Sequence, residues 1–299
     1  MKYDVIIVGG GPAGSTAAFC LQKAGWRCLI VDKKPYIGEK TCGGLLTWSG
    51  IQTLGTVGLN AEELLHMGAI SIRQFVYVHK HATTVHYYHT GEYGLGLQRH
   101  LLDQWLLEHA ITAGASWKPK IRLKEIIHKN NLFYVKADSA SKLIIATGAS
   151  GLIPQSIGPA LKEQTFGLSA QITGKTSLDP NATYFYIVGK NDLDYFWIIP
   201  NGVDLWNIGI WFQQVPINAV TQFWRYKSEF VDKFFSEISF IRSLRGAFCG
   251  NVDFSRYFPQ ECYTIGDAAG QNQATTGEGL RYAITSAAAL ANRITKRKQ

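Results

Sequence analysis

Lys2 to Val8 (KYDVIIV) is a short run of β-branched and apolar residues, the pattern of a strand buried on both faces. Gly9, Gly11 and Gly14 follow at once, and Pro12 to Ala24 then predicts a helix with Pro in its first turn, small residues toward the sheet and Gly25 as its stop. Arg27 to Val31 predicts a second apolar strand, and Asp32 stands at its carboxyl end. Leu97 to Gly114 is an amphipathic helix pattern beside Arg99, with Leu101, Leu102, Trp105, Leu106 and Ile111 available to the core. Ile121–His128 and Leu132–Asp138 read as strands joined at Asn130-Asn131, and Lys142–Ala146 as a buried strand ending in Thr147-Gly148.

Two stretches differ. Ile70–Val78 and Gly167–Trp211 alternate and are rich in aromatics, among them Tyr184, Phe185, Tyr186, Tyr195, Phe196, Trp197, Trp206 and Trp211, which predicts a second, antiparallel sheet inserted into the first unit. Near the end, Cys262–Ile265 is a short strand; Gly266-Asp267-Ala268-Ala269-Gly270 follows it, and Gly277-Glu278-Gly279 heads a long helix. The expected organisation is one discontinuous nucleotide-binding domain over 1–69, 97–165 and 255–299, with a substrate domain over 70–96 and 166–254.

Composition leaves this picture standing. A chain of 299 residues, 46% hydrophobic and 17% charged, can bury a sizeable core, which excludes disorder and a disulfide-stapled miniprotein. The five cysteines show no CxxC spacing, so a zinc ribbon or redox dithiol is not expected, and a cytoplasmic setting is. The net charge of +8 comes partly from Lys118, Lys120, Arg122 and Lys124, read as one face of a strand, and from a basic end at Arg293, Lys296, Arg297 and Lys298. These read chiefly as solvated surface, with peripheral contact to acidic head groups at the inner face of a membrane the smaller alternative, and no nucleic-acid signature accompanies them. The uncharged run Val5–Gln22 is broken by Gly9-Gly10-Gly11-Pro12 and is too short to span a bilayer; Thr41–Asn60 and Leu143–Leu161 fail similarly.

The order strand, GxGxxG, helix, strand, acid gives a weak pattern its meaning. Gly9 allows the tight turn, Gly11 lets backbone N–H groups reach a pyrophosphate at a helix N-terminus, and Gly14 lets helix and strand pack closely. Asp32 can accept hydrogen bonds from an adenosine ribose. The strand that feeds Gly266-Asp267 and then a helix supplies a carboxylate for a polyol hydroxyl and oriented N–H groups for developing negative charge, which is flavin chemistry.

At this point the chain resembles the flavoprotein superfamily of para-hydroxybenzoate hydroxylase-like monooxygenases and, within it, the geranylgeranyl reductase family. The resemblance is carried by GGGPAGSTAA at the start, Leu97-Gln98-Arg99, Ala146-Thr147-Gly148 and Gly266–Leu280, in the family's order. Lys40-Thr41-Cys42-Gly43-Gly44 looks like the family's Lys-x-Cys-Gly-Gly loop beside the isoalloxazine, and Tyr195-Phe196-Trp197-Ile198-Ile199-Pro200 like its Tyr-x-Trp-x-Phe-Pro motif. The latter is also similar to the Trp-x-Trp-x-Ile-Pro of flavin halogenases, but Gly277-Glu278-Gly279 is the reductase pattern. Ala274 and Gln273 depart from the family's Pro and Asn, Asp32 replaces a more usual Glu, and the family's further helical region has no counterpart before Gln299.

The resemblance implies an α/β, Rossmann-like fold and FAD. Adenine would lie toward Gly9, Gly11, Pro12, Ala13, Gly14 and Asp32, with Arg99 near the pyrophosphate side, Asp267 at the ribitol or pyrophosphate region, the loop with Lys40, Gly43 and Gly44 beside the isoalloxazine and the helix starting near Gly279 at the flavin's pyrimidine edge; Lys33, Thr147, Gly148, Gly266, Gly277 and Glu278 would also bind the cofactor. Tyr195, Trp197 and Pro200 would line a lipid pocket, and Cys42 would protonate a substrate carbon, its competing reading being a small buried core residue. His79, His81, His86 and His89 lack the partners that would complete a metal site. A second GxGxxG and a Cys-x4-Cys pair are absent, which removes the two-dinucleotide disulfide reductases. Electrons would then come from NAD(P)H, a ferredoxin or a quinol. The expected function is flavin-dependent reduction of carbon–carbon double bonds in a hydrophobic, isoprenoid-like substrate; a monooxygenase acting on a hydrophobic or aromatic ligand and a non-catalytic FAD-binding protein are the alternatives.

Overall fold

The structure is a computed structural model that describes residues 1–35, 40–123, 125–149, 161–189, 193–252, 259–273 and 276–296. The chain opens with β1 (Lys2–Val8), α1 (Pro12–Lys23) and β2 (Cys28–Val31), the two strands parallel with Val5–Val8 opposite Cys28–Val31. Next come β3 (Leu45–Leu46), α2 (Trp48–Thr56), α3 (Glu62–His66), β4 (Ile70–Ile72), β5 (Gln74–His79), β6 (Ala82–Tyr87), β7 (Gly94–Gly96) and α4 (Arg99–Thr112). β8 (Ser116–Lys118), β9 (Ile127–Lys129), β10 (Leu132–Val135) and β11 (Asp138–Ile145) return to the first sheet. β12 (Leu161–Thr176), β13 (Ala182–Val188), β14 (Asp194–Gly202) and β15 (Leu205–Phe212) lead to α5 (Ala219–Tyr226), a π-helical turn at Lys227–Val231 and β16 (Phe235–Val252). β17 (Cys262–Thr264), a 3-10 turn at Gly266–Ala269 and α6 (Leu280–Lys296) complete it.

The first sheet has the order β8-β2-β1-β11-β10-β9, with β17 also beside β11. Successive residues of β1 face opposite sides, so the predicted apolar run is split between two cores. Val5 and Ile7 pack under α1, α4 and α6 with Ile30 and Ile144. Ile6 and Val8 pack on the other side with Leu29, Phe133 and Ile145. The second sheet has the order β16-β12-β15-β14-β13-β5-β6. One of its faces is closed by α5 and the turn after it, through Phe196, Ile198, Ile208, Phe223 and Val231. Its opposite face carries Trp197, Ile199 and Trp211 and looks toward the first sheet's loops. A small sheet β3-β7-β4 lies between them in sequence.

Several expectations change. The second sheet is not purely antiparallel, because β13 runs parallel to β5. The run Ile70–Val78 is interrupted at Arg73: β4 pairs with β7, and only β5 joins the second sheet. The predicted strand Ile121–His128 is strand only at its end, as β9, and Lys118, Lys120 and Arg122 do not form one strand face, since β8 ends at Lys118 and Lys120 takes φ 60°. Lys124, Ala274, Arg297 and Lys298 lie outside the described residues. Ile111 is 40% exposed rather than core, on the outer side of α4. At the hairpin, Asn130 and Asn131 both adopt positive φ, 50° and 58°, as a tight two-residue turn requires. No helix among the described residues is long and apolar enough to cross a membrane.

Candidate flavin site

Where the loops at the carboxyl ends of β1, β2 and β11 meet the face of the second sheet that carries Trp197, Ile199 and Trp211, a cavity of about 830 Å³ opens. Gly9 takes φ 111°, and a Cβ there would stand 2.3 Å from the Ala146 carbonyl oxygen, so the turn after β1 closes against β11 only with glycine. Gly14 would place a Cβ 1.9 Å from the Gly9 carbonyl oxygen, which explains how α1 starts so close to the strand. Gly11 is different: a Cβ would meet nothing within 4 Å among the described residues, and the residue lines the cavity, so it keeps open a cradle at the N-terminus of α1. Among the described residues no side chain caps that terminus, and its N–H groups point to an anion.

Asp32 accepts from Gly10 N–H and from Lys34 N–H, each at 2.9 Å, which fixes its carboxylate at the rim beside Lys33. Thr147 Oγ1 is buried on the cavity wall with no hydrogen-bond partner among the described residues. Asp267, from the turn after β17, lies at the wall and takes a 2.5 Å ion pair from Lys40 Nζ. Burial works against its charge, but Lys40, and behind it Arg99, hold its carboxyl below the usual range. Gly279 leaves room for it, since a Cβ there would stand 3.0 Å from Asp267 Oδ1. Glu278 is tied to both sides, accepting from Thr47 Oγ1 at 2.8 Å and from Arg281.

Arg99 lines the cavity but is 5% exposed, and its Nε and Nη2 are spent on Asp103 one turn along α4, at 2.9–3.1 Å. Burial opposes its charge, yet Asp103 and the neighbouring Cys42 outweigh that and raise its pKa further. Cys42 accepts from Gly44 N–H at 3.4 Å. Its loop faces the second sheet: a Cβ on Gly43 would stand 3.3 Å from Trp197 Nε1, and one on Gly44 (φ 74°) would stand 2.2 Å from the Leu97 carbonyl oxygen. Tyr195, whose hydroxyl donates to the Thr276 carbonyl at 2.5 Å, and Trp197 both line the cavity.

Of the residues singled out in the sequence, the cavity gathers Gly9, Gly11, Pro12, Ala13, Asp32, Lys33, Lys40, Cys42, Gly43, Gly44, Arg99, Thr147, Gly148, Asp267, Gly277, Glu278, Gly279, Tyr195 and Trp197. Gly14, Gly266 and Pro200 stand behind it; the Pro200 carbonyl packs on Gly96, where a Cβ would come to 1.9 Å. Sequence reasoning missed Asp103, Thr47, Asn201 and Asn207. The last two carried a faint signal, as single amides at the apolar-strand positions Ile199-Pro200-Asn201 and Leu205-Trp206-Asn207.

The cradle at Gly11, the unpartnered Thr147 hydroxyl and the carboxylates at Asp32 and Asp267 suit a dinucleotide with ribose and polyol hydroxyls. Residues 2–139 match the protein family described as FAD binding domain. The cofactor is FAD. The flavoprotein resembles digeranylgeranylglycerophospholipid reductase 1 of Methanococcoides burtonii, at 26% identity over 95% of this chain and 72% of the relative. Its fold is that of a geranylgeranyl bacteriochlorophyll reductase-like protein of Thermoplasma acidophilum, with TM-score 0.81 and 24% identity over 99% of this chain and 78% of the other. A flavin-dependent brominase shares the fold as well, at TM-score 0.80 and 17% identity over 99% and 79% of the two chains.

Proposed function

We propose that this flavin-dependent oxidoreductase reduces carbon–carbon double bonds in a hydrophobic, isoprenoid-like substrate. The observation that carries the reading is the continuity of one cavity from the glycine cradle and Asp267, past Cys42, to a wall of Phe75, Tyr77, Phe185, Tyr195 and Trp197. Those rings touch one another in sequence, with centroids 5.4 Å apart for Tyr77–Phe185, 5.6 Å for Phe185–Tyr195 and 6.0 Å for Tyr195–Trp197. Such a wall excludes water and holds an apolar chain. The relatives named reductases support reduction over oxygenation.

Gly11 and the start of α1 would hold the pyrophosphate, Asp32 the adenosine ribose, and Asp267 with Lys40 the ribitol side. FAD, when bound and reduced, supplies the hydride equivalent. The chain's own part is to bring the alkene beside it: the aromatic wall orients the substrate, and Cys42 holds a proton at Sγ for the second carbon. The N-terminus of α6, reached through Gly277–Gly279, favours negative charge at the adjoining end of the cavity. In this reading the first sheet with its helices is the cofactor domain, the second sheet the substrate domain, and an external donor such as NAD(P)H, a ferredoxin or a quinol delivers the electrons.

The test is anaerobic. Protein loaded with FAD is bleached with dithionite and mixed with a geranylgeranyl lipid; return of the oxidised flavin spectrum together with addition of one H2 per double bond, seen by mass spectrometry, is the expected result. Return only on admitting air, with oxygen found in the product, would make it a monooxygenase. Return only on admitting air with the lipid unchanged would remove both readings.

A further inference from the structure

Two amides of the second sheet grip the Cys42 loop from behind. Asn207 on β15 donates from Nδ2 to the Cys42 carbonyl at 3.0 Å, and Asn201 on β14 donates from Nδ2 to the Gly43 carbonyl at 3.1 Å. Both are almost fully buried, at 2% and 1% exposure. The Asn207 amide is itself oriented, because Trp197 Nε1 donates to its Oδ1 at 2.8 Å. That bond settles which end of the amide faces the loop: with Oδ1 occupied by the indole, Nδ2 must point to Cys42. The indole also has a reserved space, since a Cβ on Gly209, across from it on β15, would stand 2.1 Å from the ring. Trp197 is at the same time part of the apolar wall.

We propose that Asn207 is a positioning residue that aims the Cys42 sulfur into the cavity, with Trp197 setting the amide so that a ligand against the aromatic wall and the thiol are held by one hydrogen-bonded chain. A merely structural asparagine would stabilise the fold without governing the thiol. The proposal rests on the reading above for the use of the Cys42 proton, but the placement of the thiol can be measured without turnover.

The discriminating variant is Asn207→Asp. Its carboxyl still accepts from Trp197, and its second oxygen donates to the Cys42 carbonyl only while protonated; once ionised it repels that carbonyl. The charged groups around the loop are Lys40, Arg99, Asp103 and Asp267, while the strands flanking position 207 present Ile199 and Gln171 opposite it and, one strand beyond Gln171, Arg242. Burial raises a carboxyl's pKa, so the switch should fall above about 4.

The experiment follows carbamidomethylation of Cys42 by iodoacetamide in the FAD-loaded protein from about pH 5 to 9, reading the Cys42 peptide by mass spectrometry. Burial pushes the Cys20 thiol up to about 11 and those of Cys28 and Cys262 up to about 12, which keeps them slow. The expected result is that Asn207→Asp matches the wild-type rate at the acid end and departs from it severalfold as pH rises, and that Trp197→Phe, which frees the amide to turn, departs at every pH. Wild-type rates in both folded variants at all pH values would overturn the proposal. So would an Asn207→Asp effect that does not change with pH, the signature of packing damage alone. If Asn207→Asp does not fold, Trp197→Phe is compared in the wild-type and Asn207→Leu backgrounds: the change in rate it causes should vanish once the amide is gone, and an equal change in both backgrounds would overturn the proposal. Altered alkylation with unaltered alkene reduction would leave Asn207 as the positioning residue and remove Cys42 as the proton donor.

Discussion

At the scale of single residues, the site is set by where side chains are forbidden as much as by where they act. Gly209 is such a place: it has no special φ, and its absent Cβ is the space occupied by the Trp197 ring. Gly209→Ala should displace the indole and cost about 1–3 kcal/mol by overpacking, read as a lower denaturant midpoint with unchanged slope. A midpoint equal to wild type would mean the ring yields freely. Asp267 makes a charge-based counterpart. Its pKa is depressed on folding, so it stabilises the protein fully above its unfolded value, near about 3.9, and loses that contribution as pH falls toward the folded value. Asp267→Asn, which has nothing to titrate, should therefore fall below wild type at neutral pH, with the gap beginning to close only as pH falls below ~4. A gap that stays constant in urea unfolding across that range would contradict the Lys40–Asp267 pairing.

At the scale of elements, α4 shows how an ordinary helix delivers a buried charge. Arg99 and Asp103 are one turn apart, so both fall on the buried face, and each neutralises the other away from water. Arg99→Gln should cost about 3–5 kcal/mol because Asp103 is left buried and unpaired, whereas Arg99→Gln with Asp103→Asn should cost clearly less. Equal losses for the single and double variants would show that the pair is not the reason for the burial. The helix was legible from its spacing, and Arg99 from its position, but its partner was not: Asp103 reads as a solvated residue until the fold turns that face inward. The same limit explains the strands. β1, β2 and β11 were legible because strands buried on both faces are continuously apolar. Ile121–His128 was misread because its apolar residues Ile121, Leu123 and Ile126 pack over the first sheet as a covering segment: Ile121 makes one backbone bond, to the Asp32 carbonyl, and among the described residues ladder pairing starts only at Ile127. The glycines, Asp32, Asp267 and the Cys42 loop were visible as motifs. Asn201 and Asn207 were not, because what they do depends on two segments more than 150 positions apart meeting at 3.0–3.1 Å.

At the scale of the whole molecule, the cofactor site is assembled from distant parts of the chain, and this has a direct consequence for what can fold alone. The segment matching the FAD binding domain ends at residue 139. β1, which carries the glycine turn, pairs with β11 from Lys2–Ser139 through Val8–Ile145, so nearly all of that ladder lies beyond the matched segment. Asp267 and Gly277–Gly279 lie further still, and α6 covers α1 on the same face of the sheet. A fragment of residues 2–139 should therefore lack the inner strand that closes Gly9 against Ala146, expose the apolar edge of β1, and take up no FAD. The full chain should bind FAD and gain about 2.7 kcal/mol of stability at a hundredfold excess over Kd. The two are compared by flavin absorbance after gel filtration and by thermal unfolding with and without FAD. A fragment that folds and retains flavin would show that the cradle at Gly9–Gly14 suffices, and that the second strand set and Asp267 serve only the chemistry beyond it.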